Sequence, residues 1–280
     1  MDEGTAVVLC ADDYGLSEGV SRGILELLES SRVSATSAMT NAPAWGSSAA
    51  ALRRFAGRAG VGMHLNLTAG APLGPMPALA PGGALPRLRP LTMRALTGTL
   101  PTAEIEDEIA RQLDAFEQAV GRRPDFVDGH QHVHALPGIR RALLRVLSSR
   151  SPAPEFWIRD PSDRIAAIVE RRLAGRKATA VKALCSGFRD AARQAGFATN
   201  VGFSGFSPFD PKLPADALFD RAFRNLGPRP VVMAHPGYVD EALRALDEVV
   251  ATRPDELSYL ASDRFAHLVR ERRIRLVPRP

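Results

Sequence analysis

Short apolar runs recur along this chain, and stretches with helical spacing separate them. That alternation limits the available folds more than any other feature. Residues 6–11 (Ala-Val-Val-Leu-Cys-Ala) form a continuous apolar run, the pattern of a strand buried on both faces. Further strand-like runs fall at 33–40, 61–68, 126–130, 156–159, 198–203, 230–234 and 274–277. Between them lie helical patterns. The first is capped by Ser17 with Glu18 in its first turn and carries Val20, Ile24, Leu27 and Leu28. Others span 45–55, 102–120, 138–147, 162–193 with a break near Gly175, 215–225, 241–251 and 262–272. Strands alternating with helices imply parallel βαβ units. Seven or eight such units in 280 residues predict an α/β protein, a distorted (β/α) barrel of parallel strands. An open doubly wound sheet is the runner-up. A composition 45% hydrophobic and 24% charged suits one soluble domain with a large core, here spanning 1–280.

Residues 69–101 break the rhythm. Pro and Gly recur every few positions and no period is held, so this stretch reads as a long loop inserted over an active face. The helix that follows places Glu104, Glu106, Asp107 and Glu108 early, where the helix dipole favours negative charge.

The formal charge is +5, and the only lysines are Lys177, Lys182 and Lys212. The arginines are spread along helical segments with no dense basic tract, so a solvated basic surface is expected and no nucleic-acid partner. Cys10 and Cys185 are too few for a disulfide framework, which fits a reducing, cytoplasmic setting. No run is long and apolar enough for a signal peptide or a transmembrane segment. A homodimer is compatible with the sequence. No Gly-rich nucleotide loop follows the first strand.

The polar residues that carry chemistry share one location. Asp12 and Asp13 follow the first strand, His64 sits near the end of the third, and His130 and His235 each close a later strand. In parallel α/β folds, the carboxyl ends of the strands form the active face. His130, His132 and His134 alternate, so an extended chain would lean all three toward one spot; a polar surface loop is the competing reading. One carboxylate with two imidazoles is an ordinary set for a catalytic divalent ion. Adjacent carboxylates in a strand alternate faces, so only one of Asp12 and Asp13 is expected to bind the ion, leaving the other free as a base.

Four segments in order, Ala11-Asp12-Asp13-Tyr14-Gly15, Gly62-Met63-His64-Leu65-Asn66-Leu67, Asp128-Gly129-His130-Gln131-His132-Val133-His134 and Ala234-His235-Pro236-Gly237, resemble the YdjC-type carbohydrate deacetylases. That group includes chitooligosaccharide and hopanoid-associated deacetylases. The resemblance runs from residue 6 to about 240, with no close match across 151–200. It implies a TIM-barrel-like fold, as in the polysaccharide deacetylases, and metal-dependent removal of an acetyl group from an N-acetylated sugar. The sugar would be chitooligosaccharide-like or a lipid-linked N-acetylglucosamine. By this resemblance Asp13, His64 and His130 match metal ligands, Asp12 a general base and His235 a general acid. Asn66, His132 and His134 are expected pocket residues. Tyr14 departs from the family pattern, standing where Phe is common, with a hydroxyl expected to reach the pocket. Arg159, at another strand end, is expected to hold Asp12 ionised or bind substrate, with a surface salt bridge as the competing reading. One divalent ion is implied. Two imidazoles favour Zn2+, Co2+ or Ni2+, whereas related enzymes are described with Mg2+. The competing readings are another metal-dependent barrel enzyme, such as a hydrolase of a cyclic or linear amide, and a non-catalytic binding protein.

Overall fold

In the computed structural model, which describes residues 4–150 and 155–280, every laddered strand pair is parallel. The strands are β1 (Thr5–Tyr14), β2 (Ala35–Ala38), β3 (Gly60–Leu65), β4 (Phe126–Gly129), β5 (Trp157–Ile158), β6 (Ala198–Thr199), β7 (Phe203–Ser204), β8 (Val231–Ala234) and β9 (Ile274–Leu276). Their order is β6-β5-β4-β3-β2-β1-β8-β7, with β9 paired to the first residues of β1. The single expected strand at 198–203 is split into β6 and β7, which lie at opposite ends of that order, with Gly202 at φ +109° between them.

The sheet is strongly curled. In a flat sheet β5 and β1 would stand about 19 Å apart, four spacings of about 4.8 Å. Yet Arg159, one residue past β5, donates hydrogen bonds directly to Asp12 in β1. The curl brings the carboxyl ends of β1 to β5 and β8 around one hollow.

The expected helices are present as α1 (Glu18–Glu29), α4 (Thr102–Val120), α5 (Ile139–Ser149), α6 (Ile165–Arg171), α7 (Gly175–Leu184), α8 (Phe188–Gln194), α9 (Ala215–Ala222), α10 (Glu241–Leu246) and α12 (Asp263–Glu271). The pattern at 45–55 becomes the short α2 (Trp45–Ser48) and a 3-10 segment over Ala49–Phe55. Residues 151–154, inside the stretch without a close match, lie outside the described residues, as do 1–3. No described helix is long and apolar enough to cross a membrane.

Two expectations need correction. Residues 69–101 are not a structureless loop: they contain α3 (Leu88–Thr97), which buries Leu91 and Ala95. Much of the remainder is tied to α4. Glu104 accepts the backbone N–H groups of Ala78 and Leu79, and Glu108 accepts that of Leu73. These carboxylates satisfy loop backbone donors. Second, α11 (Arg253–Ala261) forms where no helix was expected. Its signal was local: Pro254 at the start and Asp255 and Glu256 in the first turn, the usual opening of a helix.

Candidate active site

Strand ends supply the site in spatial order. β4 carries Asp128 and leads into His130, β3 carries His64, β2 carries Ser37, β1 carries Asp12 and Asp13, and β8 leads into His235. The β3–β4 register sets His64 directly beside Asp128.

The two aspartates both reach this face because β1 is bulged. Ala11 pairs with Thr36 and Tyr14 with Ala38, so Asp12 and Asp13 together oppose the single residue Ser37. Asp13 takes φ +72°. The alternation expected of neighbouring strand residues is broken there, and both carboxylates line the same cavity.

That cavity has a volume of about 310 Å³. Asp12, Asp13, His64, His130, His132 and His235 are on its wall, with Leu88 of the 69–101 segment and Lys177, Phe209 and Val249 beside them. Asp13 Oδ1 lies 3.3 Å from His64 Nε2 and 3.1 Å from His130 Nδ1. The three ligand atoms lie within 4.8 Å of one another. Ligands about 2.0–2.2 Å from a shared ion at tetrahedral or octahedral angles stand roughly 3 Å apart, so this donor set fits a divalent cation. His64 Nδ1 faces Asp128 Oδ1 at 2.6 Å, which leaves Nε2 on the cavity side as the nitrogen that an ion would take in place of a proton.

Around this trio the charges are paired. Arg159 binds Asp12 through both terminal nitrogens, and its Nη2 forms an ion pair with Asp128 Oδ2 at 2.6 Å. Ser37 Oγ donates to Asp12 Oδ1 and lies 3.0 Å from His64 Nδ1. Arg253 Nη2 donates to Asp13 Oδ2 at 2.7 Å. Burial alone would raise both aspartates; the Arg159 guanidinium holds Asp12 below the usual carboxylate range, and Arg253 with the two imidazoles does the same for Asp13. Burial opposes a charged His64, but Asp128, Asp13 and Asp12 together outweigh it and push His64 up to about 10 in the metal-free protein. Burial pulls His235 down to about 4 despite Asp13 and Asp12 nearby. Its backbone N–H donates to Glu256 Oε2 at 2.7 Å, its ring packs edge-on to Phe209, and its Nδ1 has no hydrogen-bond partner among the described residues.

Three expected pocket residues, Tyr14, Asn66 and His134, lie off the cavity wall. The Tyr14 hydroxyl donates to the Ser48 carbonyl at 2.7 Å, turned into the core rather than the cavity. Asn66 ties its own loop: Nδ2 donates to the Ala69 carbonyl and to Asn41 Oδ1, while Oδ1 accepts from Thr68 N and Ala69 N. His134 Nε2 donates to the Arg159 carbonyl at 2.8 Å, propping the end of β5. Arg159 takes the first of its two expected roles: wholly buried, it pairs with Asp12, and with Asp128 as well. The three alternating histidines do not converge, because the chain after β4 turns into a 3-10 segment over His130–Ala135 with Gln131 and His132 at φ +52° and +61°. A Cβ at Gly129 would come within 3.0 Å of His134, so the turn requires glycine there. His132 stays on the cavity wall, edge-on to Phe203 and Phe206. Asp128, Ser37, Arg253 and Glu256 were not singled out from the sequence. Asp128 had a signal, since it stands two residues before His130 in the same segment.

The profile of the YdjC-like protein family matches residues 6–271. A chitooligosaccharide deacetylase from Escherichia fergusonii is 31% identical over 274 residues, covering 96% of this chain and 96% of that protein. One from Enterobacter sp. (strain 638) is 42% identical over 133 residues, 48% of this chain and 52% of that protein. Among solved structures, an Enterococcus faecalis V583 protein, provisionally assigned as a cellobiose-phosphate cleavage protein, aligns with a TM-score of 0.73 at 21% identity, covering 98% of this chain and 97% of its own. The Bc1960 peptidoglycan N-acetylglucosamine deacetylase shares the fold more distantly, with a TM-score of 0.51 at 12% identity over 97% of this chain and 85% of its own. With its strand-end site and a profile match over nearly its whole length, this chain belongs to the YdjC-like protein family.

Proposed function

We propose that this protein hydrolyses the acetamide of an N-acetylated sugar, releasing acetate and a free amine, with one divalent ion held by Asp13, His64 and His130. The observation that carries this reading is the meeting of that three-ligand cluster with Asp12 and His235 on one cavity wall. The naming of the 31%-identical relative as a chitooligosaccharide deacetylase favours a chitooligosaccharide-like substrate over a lipid-linked one. The apolar wall from Leu88, Val181, Leu184 and Val249 suits the faces of a sugar ring.

Hydrolysis adds a hydroxyl to the acetyl carbon and a proton to the nitrogen. A bound divalent ion supplies Lewis acidity, lowering the pKa of a water and polarising an amide carbonyl. Asp12 accepts the proton that the water loses. Its fork with Arg159 keeps it ionised and makes it a weak base, so it suits only an acidified water. His235 gives a proton to the departing amine. Its lowered pKa leaves it neutral at pH 7, so it must gain a proton within the cycle before donating one.

Incubating the protein with N-acetylglucosamine oligomers and measuring acetate and primary amine tests the reading. Equal amounts of both are expected, with turnover lost in chelator and restored by Zn2+, Co2+, Ni2+ or Mg2+. His235→Ala should slow turnover by roughly two to four orders of magnitude. Asp12→Asn should abolish turnover while the protein still binds its ion. No acetate from any acetylated sugar across all four metals would discard the proposal.

A further inference from the structure

We infer that Arg253, the first residue of α11, is the positioning residue that makes Asp13 a one-oxygen metal ligand. This rests on the metal reading of Asp13, His64 and His130. Asp13 divides its oxygens: Oδ1 faces His64 Nε2 and His130 Nδ1, while Oδ2 accepts a hydrogen bond from Arg253 Nη2 at 2.7 Å. A carboxylate binds cations through one oxygen or both. With Oδ2 taken, one oxygen is left for the ion.

Arg253 is itself held firmly. The same Nη2 donates to Asp247 Oδ2 at 2.6 Å, and Nε donates to the Val249 carbonyl at 2.7 Å. The side chain is wholly buried. A planar guanidinium anchored at two nitrogens has its plane fixed, which a flexible ammonium cannot reproduce. Asp13 needs such a fixture. Its φ of +72° is a region that residues with a Cβ keep only when their surroundings hold them there. Arg253 and the two imidazoles make the side-chain contacts to this carboxylate. Through Asp247 and Val249, both on the cavity wall, the same guanidinium ties the ligand to the segment between α10 and α11.

Replacing Arg253 has two opposed effects on a bound cation. Losing a positive charge nearby would strengthen binding, and losing the fixed oxygen would weaken it. Arg253→Lys separates them, because it keeps the charge and loses the fork. The experiment is Co2+ titration of the metal-stripped full chain, following affinity by calorimetry and the ligand field by visible absorption. Arg253→Lys should weaken Co2+ binding by about 10–100-fold, the usual effect of removing a partner behind a ligand. The absorption should also fall in intensity as the freed Oδ2 joins the ion and the coordination number rises. Should Arg253→Lys not fold, Asp247→Asn keeps the arginine but removes one anchor, and a several-fold loss with the same spectral change is expected. Wild-type protein that binds Co2+, with folded variants matching it within about twofold and giving the same spectrum, overturns the role of Arg253 alone. Wild-type protein that takes up no Co2+ overturns the metal site and the inference with it.

Discussion

Arg159 grips Asp12 with both terminal nitrogens: Nη1 donates to Oδ2 at 2.6 Å and Nη2 to Oδ1 at 2.8 Å. Both side chains are buried, and Asp128 Oδ2 leans on the same Nη2. One guanidinium therefore bridges two buried carboxylates, Asp12 on the cavity wall and Asp128 behind it. Such a guanidinium is expensive to remove, because what remains is uncompensated buried charge.

Arg159→Met should therefore destabilise the protein at pH 7 by about 3–5 kcal/mol, read from urea unfolding. The pH dependence has a definite sign. In the wild type Asp12 is lowered from 3.8, so its contribution is complete above that value and is lost only as pH falls through the lowered one. In the variant the main influence that lowers Asp12 is gone, and burial pushes its carboxyl upward. The deficit should then shrink on acidification, as the orphaned Asp12 takes up a proton. A deficit that stays constant from pH 7 to pH 5 would show that the pairing with Asp12 is not what Arg159 contributes.

His64 and Asp128 give a second test. With Asp128 2.6 Å from Nδ1, the ring is fixed in the tautomer that offers Nε2 to an ion. Asp128→Asn should weaken Zn2+ or Co2+ binding by about 10–100-fold, measured against a chelator of known affinity. The metal-free protein should show the other side of the same contact. His64, raised to about 10, contributes stability in full below its ordinary 6.5 and loses it as pH rises through about 10. Asp128→Asn should flatten that decline between pH 7 and pH 10. An unchanged metal affinity would leave Asp128 as a partner of Arg159 and nothing more.

The strand ends of this site were legible because their signal is local. Asp13, His64, His130 and His235 each follow a short apolar run, and parallel α/β topology gathers such ends. Helix α4 was legible from residue 102 to 120 because its apolar period is sustained and Gly121, at φ +79°, ends it. The bulge at Asp12 and Asp13 was not legible. It depends on how β1 registers against β2, and nothing in Ala11-Asp12-Asp13-Tyr14 announces an extra residue. The alternating histidines misled for a related reason. Their spacing holds only for extended backbone, and Gln131 and His132 take positive φ instead. Arg253 and Glu256 escaped because they belong to α11, which was not expected as a helix, and their partners are fixed only by the pairing of β8 with β1, whose ends carry His235 and Asp13.

Glu256 supplies the last prediction. Its side chain is buried, and Oε2 accepts the His235 N–H at 2.7 Å while Oε1 has no hydrogen-bond partner among the described residues. Burial pushes its carboxyl up to about 7, with the His235 N–H and Arg253 opposing. A carboxyl raised in the folded state binds its proton more tightly there than in the unfolded chain. Its contribution to stability is thus complete below its ordinary 4.5 and is lost as pH rises through about 7. Glu256→Gln keeps an acceptor for the His235 N–H and removes the charge that burial disfavours. The variant should be more stable than the wild type at pH 8, by at most about 3 kcal/mol at roughly 1.4 kcal/mol per pKa unit, and close to it at pH 5. Urea unfolding at the two pH values measures this. Equal pH slopes in the two proteins would mean that Glu256 stays ionised in the fold, with Arg253 as its true counter-charge.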